Sequence, residues 1–279
     1  MKIRDSAGRH PVVAYFALAF VVAWGGSLLT AGPLFLRGAA IELEADALQL
    51  LGIGLSVLAG PLVAGLALTS LVDGRAGLRR LASRAARWRV GARWYAALLI
   101  FPVLLLAVSL ALAASVSPEL SPIFFAPGIL MGLLAGLIEE VGWTGFAYPL
   151  MRSKQNILRT AIALGLLHAL WHIVPSFLGS YNALEGYWLP SFAGSFVFIT
   201  ALRILIVWVY ENTQSLLLAQ LMHASSTGFY AILIPTHVAP ANWVLFTCVY
   251  AAVLSASAVA VVALYGRDLT RHPRTARPV

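Results

Sequence analysis

Between Pro11 and Tyr265 the chain consists of apolar runs of about twenty residues joined by short polar connections. A hydrocarbon core of roughly 30 Å takes about twenty residues of helix to cross, and a run apolar on every face has no polar stripe to show to water. In lipid each backbone N–H and C=O must be satisfied by the structure itself, which leaves helices or closed barrels. A barrel requires short strands of alternating polarity, and these runs do not alternate. The sequence therefore predicts an all-α polytopic transmembrane helix bundle of eight spans, near 12–30, 48–72, 94–114, 122–146, 159–178, 189–210, 215–234 and 243–265.

Composition agrees, with 60% hydrophobic and 11% charged residues and a mean hydropathy of +0.86. Eight spans leave no room for a separate soluble domain. The formal charge of +8 would suggest nucleic acid in a soluble protein, but here the bases sit between spans and report orientation, so no nucleic-acid partner is expected. Lys2, Arg4 and Arg9 precede the first span. Arg75, Arg79, Arg80, Arg84, Arg87, Arg89 and Arg93 fill the second connection, Arg152, Lys154 and Arg159 follow the fourth span, and Arg267, Arg271, Arg274 and Arg277 form the tail. The first connection instead carries Glu42, Glu44 and Asp46 against Arg37. Eight spans put every basic cluster on one side, so both termini are expected in the cytoplasm.

Three segments follow: N-terminal helices with a basic cytoplasmic linker (1–121), a core (122–234), and a last helix with a basic tail (235–279). The first apolar run is long and has no clear cleavage site, so it reads as a retained helix rather than a signal peptide. Arg75 to Trp94 interleaves arginine with Leu78, Leu81, Trp88 and Val90, which fits a topology anchor or a helix lying on an anionic membrane surface. The single cysteine, Cys248, excludes an intramolecular disulfide and a cysteine zinc cluster.

Against this apolar background, ionisable residues inside spans are costly and mark function. Glu139 and Glu140 lie near the end of the fourth run. Consecutive helical residues point about 100° apart, so the two acids are expected to have different jobs, and their closeness disfavours double ionisation. His168 and His172 are four apart and share a face, a spacing that can bind a metal or line a polar pocket. His223 is followed four residues on by Thr227, an imidazole and a hydroxyl suited to stabilising an oxyanion. Counted at about 1.5 Å per residue from the inner span ends, Glu140 and His223 lie at similar depth in the cytoplasmic half, and His172 joins them if its helix starts later than Arg159.

Glu139-Glu140-Val-Gly-Trp-Thr-Gly-Phe, Leu170-Trp171-His172 and His223-Ala-Ser-Ser-Thr together resemble the three motifs of the CPBP family, the CAAX-processing and bacteriocin-processing (Abi) intramembrane endopeptidases. The resemblance covers roughly 123–229, four of the eight spans. It implies that Glu139 activates water with His172 as partner, that His223 and Thr227 hold the oxyanion, and that Glu140 supports them. Three positions depart from the family's EExxxR, FxxxH and HxxxN: Thr144 stands in place of Arg, His168 of Phe and Thr227 of Asn. Arg203, buried in the sixth run at the level of Glu140, is expected to neutralise Glu140 in place of the missing arginine.

The family is often labelled a metalloprotease, and Glu139, His172 and His223 could supply a carboxylate and two imidazoles to zinc, although the same residues also serve a metal-free, glutamate-activated water. Neither a Gly-x-Ser-x-Gly elbow nor an HExxH pair is present. The expected function is hydrolysis of a peptide bond in a membrane-associated peptide or lipid-anchored protein, with the bilayer as the other partner. An arginine-rich, lysine-poor composition points to a bacterial cytoplasmic membrane. An inactive immunity or scaffold relative, or an ion-coupled transporter using Glu and His as a proton relay, are the rival functions for these residues.

Overall fold

The computed structural model describes residues 9–38, 46–235 and 238–271. Among them it contains helices and no strand: α1 (Pro11–Phe35), α2 (Ala47–Ala85), α3 (Ala92–Ser115), α4 (Gly128–Arg152), α5 (Ile157–Trp171), α6 (Ile173–Leu184), α7 (Trp188–Thr213), α8 (Leu216–Leu233) and α9 (Pro240–Tyr265). Seven are long and apolar enough to cross a membrane, and α5 with α6 makes an eighth span bent by 48°. Leu29, Leu36 and Val259 are more than half exposed on the outside, whereas Glu139, Glu140, His168, Arg203, Glu211 and His223 are buried within. Such an inside-out distribution is that of a bundle solvated by lipid.

Three elements depart from the predicted spans. The fourth starts after Pro127 and runs over Gly128–Arg152 rather than 122–146, so Glu139 and Glu140 stand near its middle instead of near its end. The fifth, expected as one helix over 159–178, breaks at His172 because Pro175 has no N–H for the Trp171 carbonyl four residues back. The indole Nε1 of Trp24 in α1 donates to that carbonyl instead, at 2.8 Å. The second continues past 72 to Gly74, whose φ of 61° and ψ of −152° interrupt the helix, and the basic segment then stays helical only to Ala85. A left-handed φ is open to glycine, which has no Cβ to clash. Lys2, Arg4, Glu42, Glu44, Arg274 and Arg277 lie outside the described residues.

Glycine sets the helix spacings that matter. A Cβ built on Gly132 would fall 2.3 Å from the Cα of Gly228, and one on Gly136 would fall 2.2 Å from the Gln220 carbonyl, so α4 and α8 approach backbone to backbone. Across α5 and α7, a Cβ on Gly165 would meet the Cα of Thr200 at 2.9 Å. Small residues at four-residue spacing permit such approach where lipid supplies no hydrophobic drive between helices. Glu140 stands one turn beyond Gly136 and His223 lies between Gln220 and Gly228, while His168 and Arg203 stand one turn beyond Gly165 and Thr200.

Candidate active site

The two acids of α4 take separate partners, as their angular offset requires. Oε2 of Glu139 accepts from Trp143 Nε1 at 3.3 Å and lies 3.5 Å from His168 Nε2. Oε2 of Glu140 accepts from the Arg203 guanidinium at 2.8 Å and from the Thr144 hydroxyl, while its Oε1 faces His223 Nδ1 at 2.8 Å. Every oxygen of Glu140 is thus engaged, whereas Glu139 Oε1 has no hydrogen-bond partner among the described residues. A fully satisfied, ion-paired carboxylate suits a structural role, and one with an open oxygen suits proton transfer.

Arg203 reaches this position from α7 and is completely buried. One terminal nitrogen serves Glu140, and the same nitrogen lies 3.4 Å from Thr144 Oγ1. The other lies 2.9 Å from His168 Nδ1. Thr144 and His168, two of the three departures from the family motifs, therefore both contact the arginine that meets Glu140 from another helix. Thr227, the third, is half-buried and forms no hydrogen bond with the acids or imidazoles among the described residues.

His172 sits at the elbow between α5 and α6 and is half-buried, the most accessible of the group. His168 packs between it and His223, with ring centroids 5.3 Å and 5.5 Å away. Glu139, His168, His172, His223, Glu140, Thr144 and Arg203 are brought together, from α4, α5, the α5–α6 elbow, α7 and α8.

Sequence reasoning did not single out several side chains that build the site. Trp143 holds Glu139 from one turn on, and its i, i+4 spacing could have been read. Tyr15 of α1 packs its ring 5.6 Å from Trp143, and its buried hydroxyl has no hydrogen-bond partner among the described residues. After Glu140 the backbone opens into a π-turn over Trp143–Ala147, with Tyr148 N–H bonding to Trp143 C=O five residues back. Pro149 cannot donate to Gly145 four residues earlier, and Arg84 supplies the missing donor at 2.6 Å while also donating to Tyr210 Oη at 2.9 Å. The expected topology anchor thus sends one arginine into the bundle. Below it, Glu211 accepts from Tyr148 Oη at 2.7 Å and pairs with Arg152 at 3.1 Å, an unforeseen buried acid in α7.

A resident metal does not fit this donor set. The tightest grouping of ligand atoms is Glu139, His168 and His172, all within 4.8 Å of one another, rather than the expected Glu139, His172 and His223. Guanidinium groups only donate, so Arg203 makes His168 Nδ1 an acceptor and leaves the ring proton on Nε2, the nitrogen facing Glu139. His223, whose Nδ1 faces Glu140, keeps Nε2 free but lies outside this grouping. Glu139 and His172 then remain as ready ligands, fewer than the three protein ligands of a catalytic zinc site. A separate apolar groove of about 400 Å³, lined by Ile162, Leu166, Phe196, Ile204 and Val262, contains none of these ionisable residues.

A family model described as type II CAAX prenyl endopeptidase Rce1-like matches residues 120–229. CAAX prenyl protease 2 of Methanococcus maripaludis is 29% identical over 102 residues, which are 36% of this chain and 38% of that protein's length. The chain therefore matches well under half of its relative. The match takes in both glutamates, His168, His172, Arg203 and His223, while Tyr15, Trp24 and Arg84 lie before it. Over residues 120–229 the chain is thus similar to CAAX prenyl endopeptidases of the Rce1-like kind.

Proposed function

We propose that the protein is an intramembrane endopeptidase that hydrolyses a peptide bond of a membrane-associated or lipid-anchored substrate by a glutamate-activated water. The single observation that carries this reading is Glu139: a buried carboxylate with one oxygen held and the other free, its carboxylate within 4.8 Å of a His172 ring nitrogen. A water bridging these two groups gives its proton to Glu139 Oε1 as its oxygen attacks the scissile carbonyl carbon. His223, with Nδ1–H held by Glu140, presents Nε2, which in the imidazolium form donates to the oxyanion. Glu139 then passes the proton to the departing amine nitrogen as the C–N bond breaks. Thr227 is the second oxyanion donor in this scheme, reached once substrate orders the α8 face.

The basic clusters flanking the spans support a site on the cytoplasmic side of a bacterial inner membrane, with both termini inside. The test is comparative membrane proteomics of cells carrying wild type and Glu139→Gln. Peptides or untrimmed C-termini that accumulate in the variant support proteolysis and name the substrate. Identical proteomes with full biological effect would instead support an inactive scaffold relative.

A further inference from the structure

We infer that His168 is a positioning residue that links Arg203 to Glu139, holding Oε2 of the base so that Oε1 alone accepts the proton from water. The inference rests on the proteolytic reading above and goes beyond it by assigning the tautomer of one ring and the working oxygen of one carboxylate.

Geometry carries it. The guanidinium nitrogen 2.9 Å from His168 Nδ1 has hydrogen but no lone pair to offer, so the ring is neutral with its proton on Nε2. That Nε2 is completely buried, has no hydrogen-bond partner among the described residues, and lies 3.5 Å from Glu139 Oε2. A buried donor left unmade is costly, and catalytic hydrogen bonds are often long before substrate is bound. Closing this gap by a few tenths of an ångström puts two donors, Trp143 Nε1 and His168 Nε2, on the same oxygen.

The same contacts explain why two motif departures occur together. With Thr at 144, the charge opposite Glu140 comes from α7, and the Arg203 fork has a second nitrogen to satisfy in a dry interior. A phenylalanine at 168 offers it no acceptor. His168 accepts it on one side and extends the charge to Glu139 on the other. Gly165, one turn before His168, lets α5 come close enough, its built Cβ lying 3.2 Å from Arg203 Cβ.

The experiment uses the full chain in lipid nanodiscs with selective 15N-histidine labelling, the His168 resonances being assigned by their loss in His168→Gln. The expected spectrum shows a neutral ring protonated at Nε2, unchanged by added zinc chloride, and converted to a mixture of tautomers by Arg203→Gln. A ring protonated at Nδ1 or at both nitrogens, or one whose Nε2 moves on adding zinc, overturns the inference. In parallel, cleavage of an internally quenched farnesylated CaaX peptide is followed. His168→Gln, whose amide can accept from Arg203 and donate toward Glu139, is expected within about 3-fold of wild type, and His168→Phe about 100-fold lower in kcat with KM unchanged. Equal kcat for wild type and His168→Phe would also overturn it. If wild type leaves the peptide intact, the failure belongs to the proteolytic reading, and the spectrum alone decides the tautomer.

Discussion

Arg84 and Gly145 are joined by a hydrogen bond of 2.6 Å from guanidinium to carbonyl, and the reason lies four residues further on, where Pro149 has no N–H to give. Arg84→Ala leaves a carbonyl in the site helix without its donor, at a cost of about 1–3 kcal/mol. Pro149→Ala restores a backbone donor. The double variant is expected to recover most of the thermal stability lost by Arg84→Ala in detergent, and equal loss in single and double variants would show that Arg84 acts through Tyr210 instead.

Replacing Glu139 by Gln keeps the shape and removes the proton acceptor. General-base loss predicts a fall in turnover of about 10²–10⁴-fold with the melting midpoint unchanged or raised, since no carboxylate then has to be buried. Turnover assays on purified protein, with melting curves on the same samples, check both halves.

Glu140 and Arg203 form a fully buried pair at 2.8 Å. Removing one partner leaves the other charged and unpaired, which costs about 3–5 kcal/mol, whereas losing both costs less than the sum. Glu140→Gln and Arg203→Gln are each expected to lower the melting midpoint strongly, and the double variant to lie above the additive expectation. Strict additivity in a double-mutant cycle would contradict direct pairing.

Gly136→Leu places a side chain where the Gln220 carbonyl now sits, so α4 and α8 must separate. Overpacking of this kind costs about 1–3 kcal/mol and draws His223 away from Glu140. Activity is expected to fall further than stability, and a compensating smaller residue at Ala224 (Ala224→Gly) to restore part of it.

Purified protein is expected to hold zinc well below one ion per chain and to keep its activity after chelation, because Arg203 engages His168 Nδ1 and leaves a proton on the nitrogen that faces Glu139, while His223 lies outside the Glu139, His168 and His172 grouping. Elemental analysis of the same preparation used for kinetics makes this check independent of substrate.

Much of the fold was legible in the sequence. Spans are long-range in effect but local in origin, so runs of apolar residues located the helices, although the fourth lies about six residues later than its run suggested, the second runs on to Ala85, and the elbow at His172 was missed although Pro175 announces it. The meeting of Glu139, Glu140, His172 and His223 followed from motif order, whereas the depth reading counted Glu140 from 146 and the helix runs on to Arg152. Tyr15, Trp24 and Arg84 were not legible, since each reaches the site from more than sixty residues away in sequence and bears no local mark. Glu211 and Trp143 did carry marks, an acid in an apolar run and an i, i+4 spacing, that reasoning passed over. His168 was noticed for its spacing with His172, yet its principal contact lies on another helix.

Drawing its guanidinium from α7 changes what Glu140 fastens together. An arginine at 144 would tie one turn of α4 to the next, whereas Arg203, with His223 on the other oxygen, laces three helices through a single carboxylate. Prising α4 from α7 or α8 would strand a charge in a dry interior, so that side of the bundle is rigid. Slack is left at the α5–α6 elbow, where the chain turns by 48° and His172 is only half covered. A polypeptide threading toward Glu139 would meet least resistance there.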